Sequence, residues 1–139
     1  MCGGKRMNIL AIDPGNIESA YCLINADTYK PLEFGKVENQ YLKGWLSLNA
    51  EKYSRCIIEM IASYGMAVGE SVFQTCVWIG RFTQVAECEE KETEYIYRKE
   101  EKMNLCGTMR AKDSNIRQAL IDRFGEVGTK KNPRMVLWI

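Results

Sequence analysis

Histidine is missing altogether from this 139-residue sequence. Its absence excludes Ser-His-Asp and Cys-His nucleophilic sites and any histidine-ligated zinc centre, leaving carboxylates and lysines for acid–base or metal chemistry. Net charge is nearly missing too: 19 basic against 18 acidic residues leave +1. Without a global basic field, nucleic-acid binding must rest on a local patch. No apolar run approaches the ~20 residues that cross a bilayer, and no secretory signal is recognisable, so no membrane association is expected. Internal repeats and low-complexity segments are also lacking. The 6 cysteines (Cys2, Cys22, Cys56, Cys76, Cys88 and Cys106) include no Cys-x-x-Cys pair. Their scatter through mostly apolar surroundings favours buried thiols in a reducing, cytoplasmic compartment over disulfides or zinc ligands.

What is present fits one ordinary globular domain spanning residues 1–139, with 46% hydrophobic and 27% charged residues and enough length for a proper core. Residues 1–7 read as a loose leader, with Met7 an alternative start. The chain is organised around Asn8-Ile9-Leu10-Ala11-Ile12-Asp13-Pro14-Gly15. The continuous apolar run reads as a strand buried on both faces. Pro14 and Gly15 stop it, which leaves Asp13 at its carboxyl end, where open α/β sheets bind ligands. Asp13 is then either a functional carboxylate or a turn residue bonding its own backbone.

Residues 19–25 and 32–37 read as second and third strands joined by short connections, an antiparallel meander. Tyr41, Leu42, Trp45, Leu46 and Leu48 recur at near-helical spacing, predicting a helix of roughly ten residues. Residues 55–61 form a second buried apolar run, interrupted by Glu59. A lone glutamate there is expensive to ionise unless paired or bound to a cation. It is either a cation ligand or a strand-end residue that reaches water or a lysine. A long helix over residues 70–88 carries Val72, Phe73, Cys76, Val77, Ile79, Phe82, Val85 and Ala86 as one core-facing stripe. Residues 93–98 alternate as a strand, 99–106 form a short helix ended by Gly107, and Asp113 or Ser114 caps a last helix that Gly125 stops. Residues 126–139 read as a basic and apolar tail.

Right-handed crossovers make the first, fourth and fifth strands parallel neighbours in a mixed sheet with helices on both faces. Adjacent strands lie roughly 4.8 Å apart, so Asp13 and Glu59 meet near two neighbouring carboxyl ends. Carboxylates that close repel each other, and a divalent cation relieves the repulsion. Oxygen ligands without His or Cys favour Mg²⁺ or Mn²⁺, which serve phosphoryl chemistry.

Ile12-Asp13-Pro14-Gly15 after the first strand, Ile58-Glu59-Met60 ending the fourth, and the order of elements resemble the ribonuclease-H-like fold. Leu105-Cys106-Gly107 followed by Arg110-Ala111-Lys112-Asp113-Ser114 and a helix to Gly125 is similar, more narrowly, to phage- or prophage-type RuvC Holliday-junction resolvases. The resemblance spans about residues 7–133 and implies an α/β fold with a five-stranded sheet, three antiparallel strands followed by two parallel ones. It implies a Mg²⁺-dependent, structure-selective endonuclease that cleaves four-way or other branched DNA as a homodimer, with a metal-activated water. Asp13 and Glu59 match the first two metal-binding carboxylates, and Lys102 and Lys112 match two basic residues near the scissile phosphate. Either lysine is equally well read as a solvated surface charge, and Asp113 as a helix cap. Arg110 adds to the same basic face, and Tyr64 either stacks on a base or packs internally.

The family continues into a further helix with one or two more aspartates, whereas no carboxylate follows Glu126 here. The chain is therefore read as a truncated or frameshifted copy. The alternative is a catalytically impaired junction-binding protein of the same fold. A sugar-kinase or actin-like ATP-binding domain shares the core but is disfavoured by the lack of a clear phosphate loop. Trp78 and Arg81 on the long helix are the expected dimer surface, by analogy alone.

Overall fold

The computed structural model describes residues 7–63, 65, 67–125 and 128. Three strands open the chain: β1 (Asn8–Asp13), β2 (Glu18–Asn25) and β3 (Pro31–Glu38). They pair antiparallel in sequence order. Helix α1 (Asn39–Leu48) and a single 3-10 turn (Ala50–Lys52) lead into β4 (Arg55–Met60), which lies parallel to β1. The long helix α2 (Glu70–Cys88) then crosses to β5 (Glu92–Tyr97), parallel to β4. The sheet order is β3-β2-β1-β4-β5, the mixed five-stranded α/β sheet expected from sequence. Helices α3 (Arg98–Cys106) and α4 (Asp113–Phe124) close the described chain.

Side-chain alternation along the strands divides the apolar residues between two faces. Leu10 and Ile12 of β1, Tyr21 and Leu23 of β2, and Cys56 and Ile58 of β4 point to one face. There they meet Leu42, Trp45 and Leu46 of α1 and Ile79, Phe82 and Ala86 of α2. The other face is thinner: Cys22 packs with Ile116 and Leu120 of α4, bordered by Ile24, Phe34, Leu105 and Cys106. Ala11, Asp13, Ile57 and Glu59 belong to this second face by the same alternation. The large core therefore holds the strands rigid while the thin side stays open above the carboxylates.

Three local expectations change. The α2 stripe is not all core: Ile79, Phe82 and Ala86 are buried, but Phe73 and Val77 are 59% and 54% exposed, because helical spacing sets them on the side of the helix opposite Ile79 and Phe82. Trp78 is only half-buried, packing on Phe82 while Arg81 stacks over its ring at 4.6 Å. The cap of α4 is Lys112, not Asp113 or Ser114; its backbone N–H donates to Asn115 Oδ1 at 2.8 Å. The cysteines also divide: Cys56 is buried, and loss of hydration pushes its thiol up to about 12, whereas Cys76 and Cys88 are exposed. Among the described residues no helix is long and apolar enough to cross a membrane.

Candidate metal centre

The parallel β1–β4 register ends with Ile12 opposite Ile58. One step further, Asp13 and Glu59 stand side by side on the open side of the sheet, close enough for the charge of Asp13 to raise the Glu59 carboxyl. Pairing of β4 with β5 runs on to Glu59 opposite Ile96 and Met60 opposite Tyr97. The first residues of α3 thus arrive at the same rim. An open cleft of about 230 Å³ lies beneath it, walled by Ala11, Ile57, Ile96, Leu105, Ile116 and Leu120.

A ring of hydrogen bonds holds the turn that carries Asp13. Gly15 N–H donates to Ser19 Oγ at 3.1 Å, the Ser19 hydroxyl donates to Asn39 Oδ1 at 2.6 Å, and Asn39 Nδ2 returns to the Gly15 carbonyl at 2.9 Å. Ser19 and Asn39 are both buried, and the backbone N–H of Asn39 also donates to the Ile17 carbonyl at 2.9 Å. Gly15 is required by close approach: a Cβ there would lie 2.2 Å from the Glu18 carbonyl oxygen. Nothing in the spacing of Ser19 or Asn39 marked them as supports of the site.

Glu59 is the electrostatic centre of the rim. Its side chain keeps 19% of its exposure. Burial, then the negative charges of Glu101 and Asp13, push its carboxyl up to about 8 against the opposing pull of Arg98. Arg98 Nε lies 3.5 Å from Glu59 Oε1 and 3.8 Å from Asp113 Oδ1, and its Nη1 lies 3.0 Å from Glu101 Oε2. The basic neighbour of Glu59 is therefore an arginine rather than the lysine considered from sequence. Arg98 and Glu101 were not singled out as site residues. The signal was available: they open the helix that follows the third parallel strand, three positions apart on one helical face.

The other expected residues are less central. Lys102 is half-buried one turn beyond Arg98; Arg110 is exposed in the α3–α4 connection; Lys112 is exposed, adjacent to the Asp113 that Arg98 touches. Among the described residues, none of the three forms an ion pair with Asp13 or Glu59. Tyr64 and the tail residues from 129 onward lie outside the described residues.

A parallel-strand rim with paired carboxylates, built on this strand order, decides the comparison. The chain is similar in fold to RuvC. It matches the Thermus thermophilus RuvC structure with a TM-score of 0.68 at 14% identity, covering 95% of this chain and 89% of that one. It also matches T. thermophilus RuvC in complex with Holliday junction substrate, with a TM-score of 0.72 at 15% identity, covering 95% and 88%. No protein-family model and no curated protein sequence matches this chain. At these identities the RuvC likeness establishes the ribonuclease-H-like fold, and the chemistry must be argued from the rim itself.

The donor set suits a hard divalent cation. Mg²⁺ is commonly bound through one or two carboxylates, with water and substrate phosphates filling the remaining positions. Asp13 and Glu59 meet that pattern, and Glu101 adds negative potential beside them. Among the described residues no three Asp, Glu or Cys side chains converge as a metal-binding group, so Asp13 and Glu59 could supply at most two protein carboxylates to an ion.

Proposed function

We propose that this chain is a Mg²⁺- or Mn²⁺-dependent endonuclease for branched DNA, with four-way junctions as its substrate class. The observation that carries the reading is the meeting of Asp13 and Glu59 at the carboxyl ends of adjacent parallel strands. A carboxylate beside a second carboxyl group that burial and negative neighbours keep protonated to about pH 8 is a poor structural choice and, once a cation replaces that proton, a good metal site. Support comes from the fold shared with a protein solved in complex with Holliday junction substrate.

In this reading Asp13 and Glu59 hold the cation at the rim. When bound, the ion would neutralise charge at the scissile phosphate and make a water acidic enough to lose its proton and attack as hydroxide. Lys112 meets the scissile phosphate from the start of α4, while Lys102 and Arg110 contact phosphates on either side, and Tyr64 stacks on an unpaired base. Phosphate contacts of this kind make binding salt-dependent and largely independent of sequence.

A labelled four-way junction incubated with the protein and Mg²⁺ is expected to be nicked, with cleavage lost in EDTA and in Asp13→Asn. Equal products from wild type and Asp13→Asn would defeat the assignment. A second reading, junction binding without catalysis, is favoured by the absence of a third converging carboxylate among the described residues. Binding that persists in EDTA, with no cleavage in any divalent ion, would select it.

The homodimer is proposed through α2. Phe73, Cys76, Val77 and Gly80 form an exposed stripe at helical spacing, a patch of the kind that a second copy covers. Val77→Asp is expected to convert a dimer to a monomer in sedimentation velocity without changing the circular dichroism spectrum. A monomeric wild type at high concentration would remove this interface.

A further inference from the structure

The guanidinium of Arg98 sits where Glu59, Glu101 and Asp113 meet, and it contributes the positive charge nearest the proposed cation pair. Its side chain keeps 40% of its exposure, about twice that of Glu59. It can therefore swing into water without stranding a buried charge, whereas Glu59 cannot leave the rim. The closest of its three contacts is to Glu101, three residues along the same helix, at 3.0 Å; the contact to Glu59 is longer, at 3.5 Å. Loss of the Glu59 contact leaves the arginine tethered. A divalent ion held by the same carboxylate would be repelled by that guanidinium in a half-buried site.

We propose that Arg98 is a resident counter-cation that a divalent ion must displace from Glu59, so that this arginine sets the affinity of the rim for metal. The inference rests on the reading of Asp13 and Glu59 as a cation pair. Without metal, Arg98 opposes the negative potential that Glu101 and Asp13 impose on the Glu59 carboxyl. When a cation takes Glu59, Arg98 pivots on Glu101 toward the open rim. Arg98 is a positioning residue, acting on the ligand rather than on substrate.

Mn²⁺ binding to the full chain, read from the electron paramagnetic resonance signal of free Mn²⁺, tests this directly. Arg98→Gln is expected to bind Mn²⁺ roughly tenfold more tightly than wild type, since a nearby positive charge has gone. Arg98→Lys should stay close to wild type, and Asp13→Asn should bind far more weakly. A purely structural arginine predicts the opposite sign, because loosening α3 would weaken the site. Arg98→Gln binding no more tightly than wild type overturns the proposal. A measurement on wild type stands independently of whether that variant folds: the Arg98 Nε–H resonance, assigned by its loss in Arg98→Lys, should move during a Mg²⁺ titration. A resonance unmoved at saturating Mg²⁺ also overturns it. If wild type binds and Asp13→Asn does not, yet Arg98→Gln gains nothing, only the Arg98 inference fails. If wild type, Asp13→Asn and Arg98→Gln all fail to bind, the cation pair itself falls, and this inference with it.

Discussion

Replacing Glu59 by glutamine is expected to abolish junction cleavage and, in the same molecule, to make the metal-free fold more stable at neutral and alkaline pH. Loss of a metal-holding carboxylate removes several kcal/mol of transition-state charge stabilisation; about 4 kcal/mol corresponds to about a thousandfold in rate. The stability gain has the opposite origin. Burial and the charges of Glu101 and Asp13 raise the Glu59 carboxyl from 4.5 to about 8. The folded state therefore keeps a proton that the unfolded chain has already released. Stability from this group is fully present below about pH 4.5 and falls as pH rises toward 8, levelling off above it. Glutamine has no proton to lose and carries no charge beside Asp13. Thermal melts in EDTA from pH 4 to pH 9 should show wild type declining relative to Glu59→Gln as pH rises. Added Mg²⁺ should restore wild type and leave the variant unchanged. Parallel pH profiles for the two proteins would show that Glu59 is not held in its protonated form, and the argument for a strained carboxylate pair would lapse.

Much of the architecture was legible because its signals are local and redundant. The apolar run into Asp13-Pro14-Gly15 marks both the central strand and its end, and the α2 boundaries coincide with the expected residues 70–88. Strand adjacency followed from crossover handedness, so the meeting of Asp13 and Glu59 was deducible before any coordinates. The remainder depended on facts that spacing does not carry. The reach of Arg98 to Glu59 and Asp113 depends on how α3 leaves β5. Helical spacing does carry the exposure of Phe73 and Val77, which lie about half a turn round from Ile79 and Phe82; one undivided apolar stripe does not resolve the two faces. Ser19 looked like the first residue of a strand and Asn39 fell between the expected third strand and first helix; their hydrogen bonding across a separation of 20 positions is visible only once both are buried together.

That buried pair leads to the second large effect. Asn39→Asp is expected to lower stability by about 3 kcal/mol and to weaken cation binding at the rim, although the side chain barely changes in size. Aspartate keeps the oxygen that accepts from Ser19 but replaces the amide donor to the Gly15 carbonyl with a second oxygen. A half-buried carbonyl losing its donor costs up to about 1–3 kcal/mol, and an unpaired carboxylate at the buried Asn39 position adds to that or stays protonated. The turn cannot relax inward, because the Glu18 carbonyl already fills the space beside Gly15. Strain therefore passes back along the chain through Pro14 to Asp13. Asn39→Ala loses both hydrogen bonds as well as volume, so comparison of the two separates hydrogen bonding from packing. Urea denaturation supplies the stability and Mn²⁺ titration the affinity. A destabilised Asn39→Asp with unchanged Mn²⁺ affinity would confine the ring to a structural role. Wild-type stability in Asn39→Asp would show that the Gly15 turn is held by other contacts, and Asp13 would no longer owe its place to this clamp.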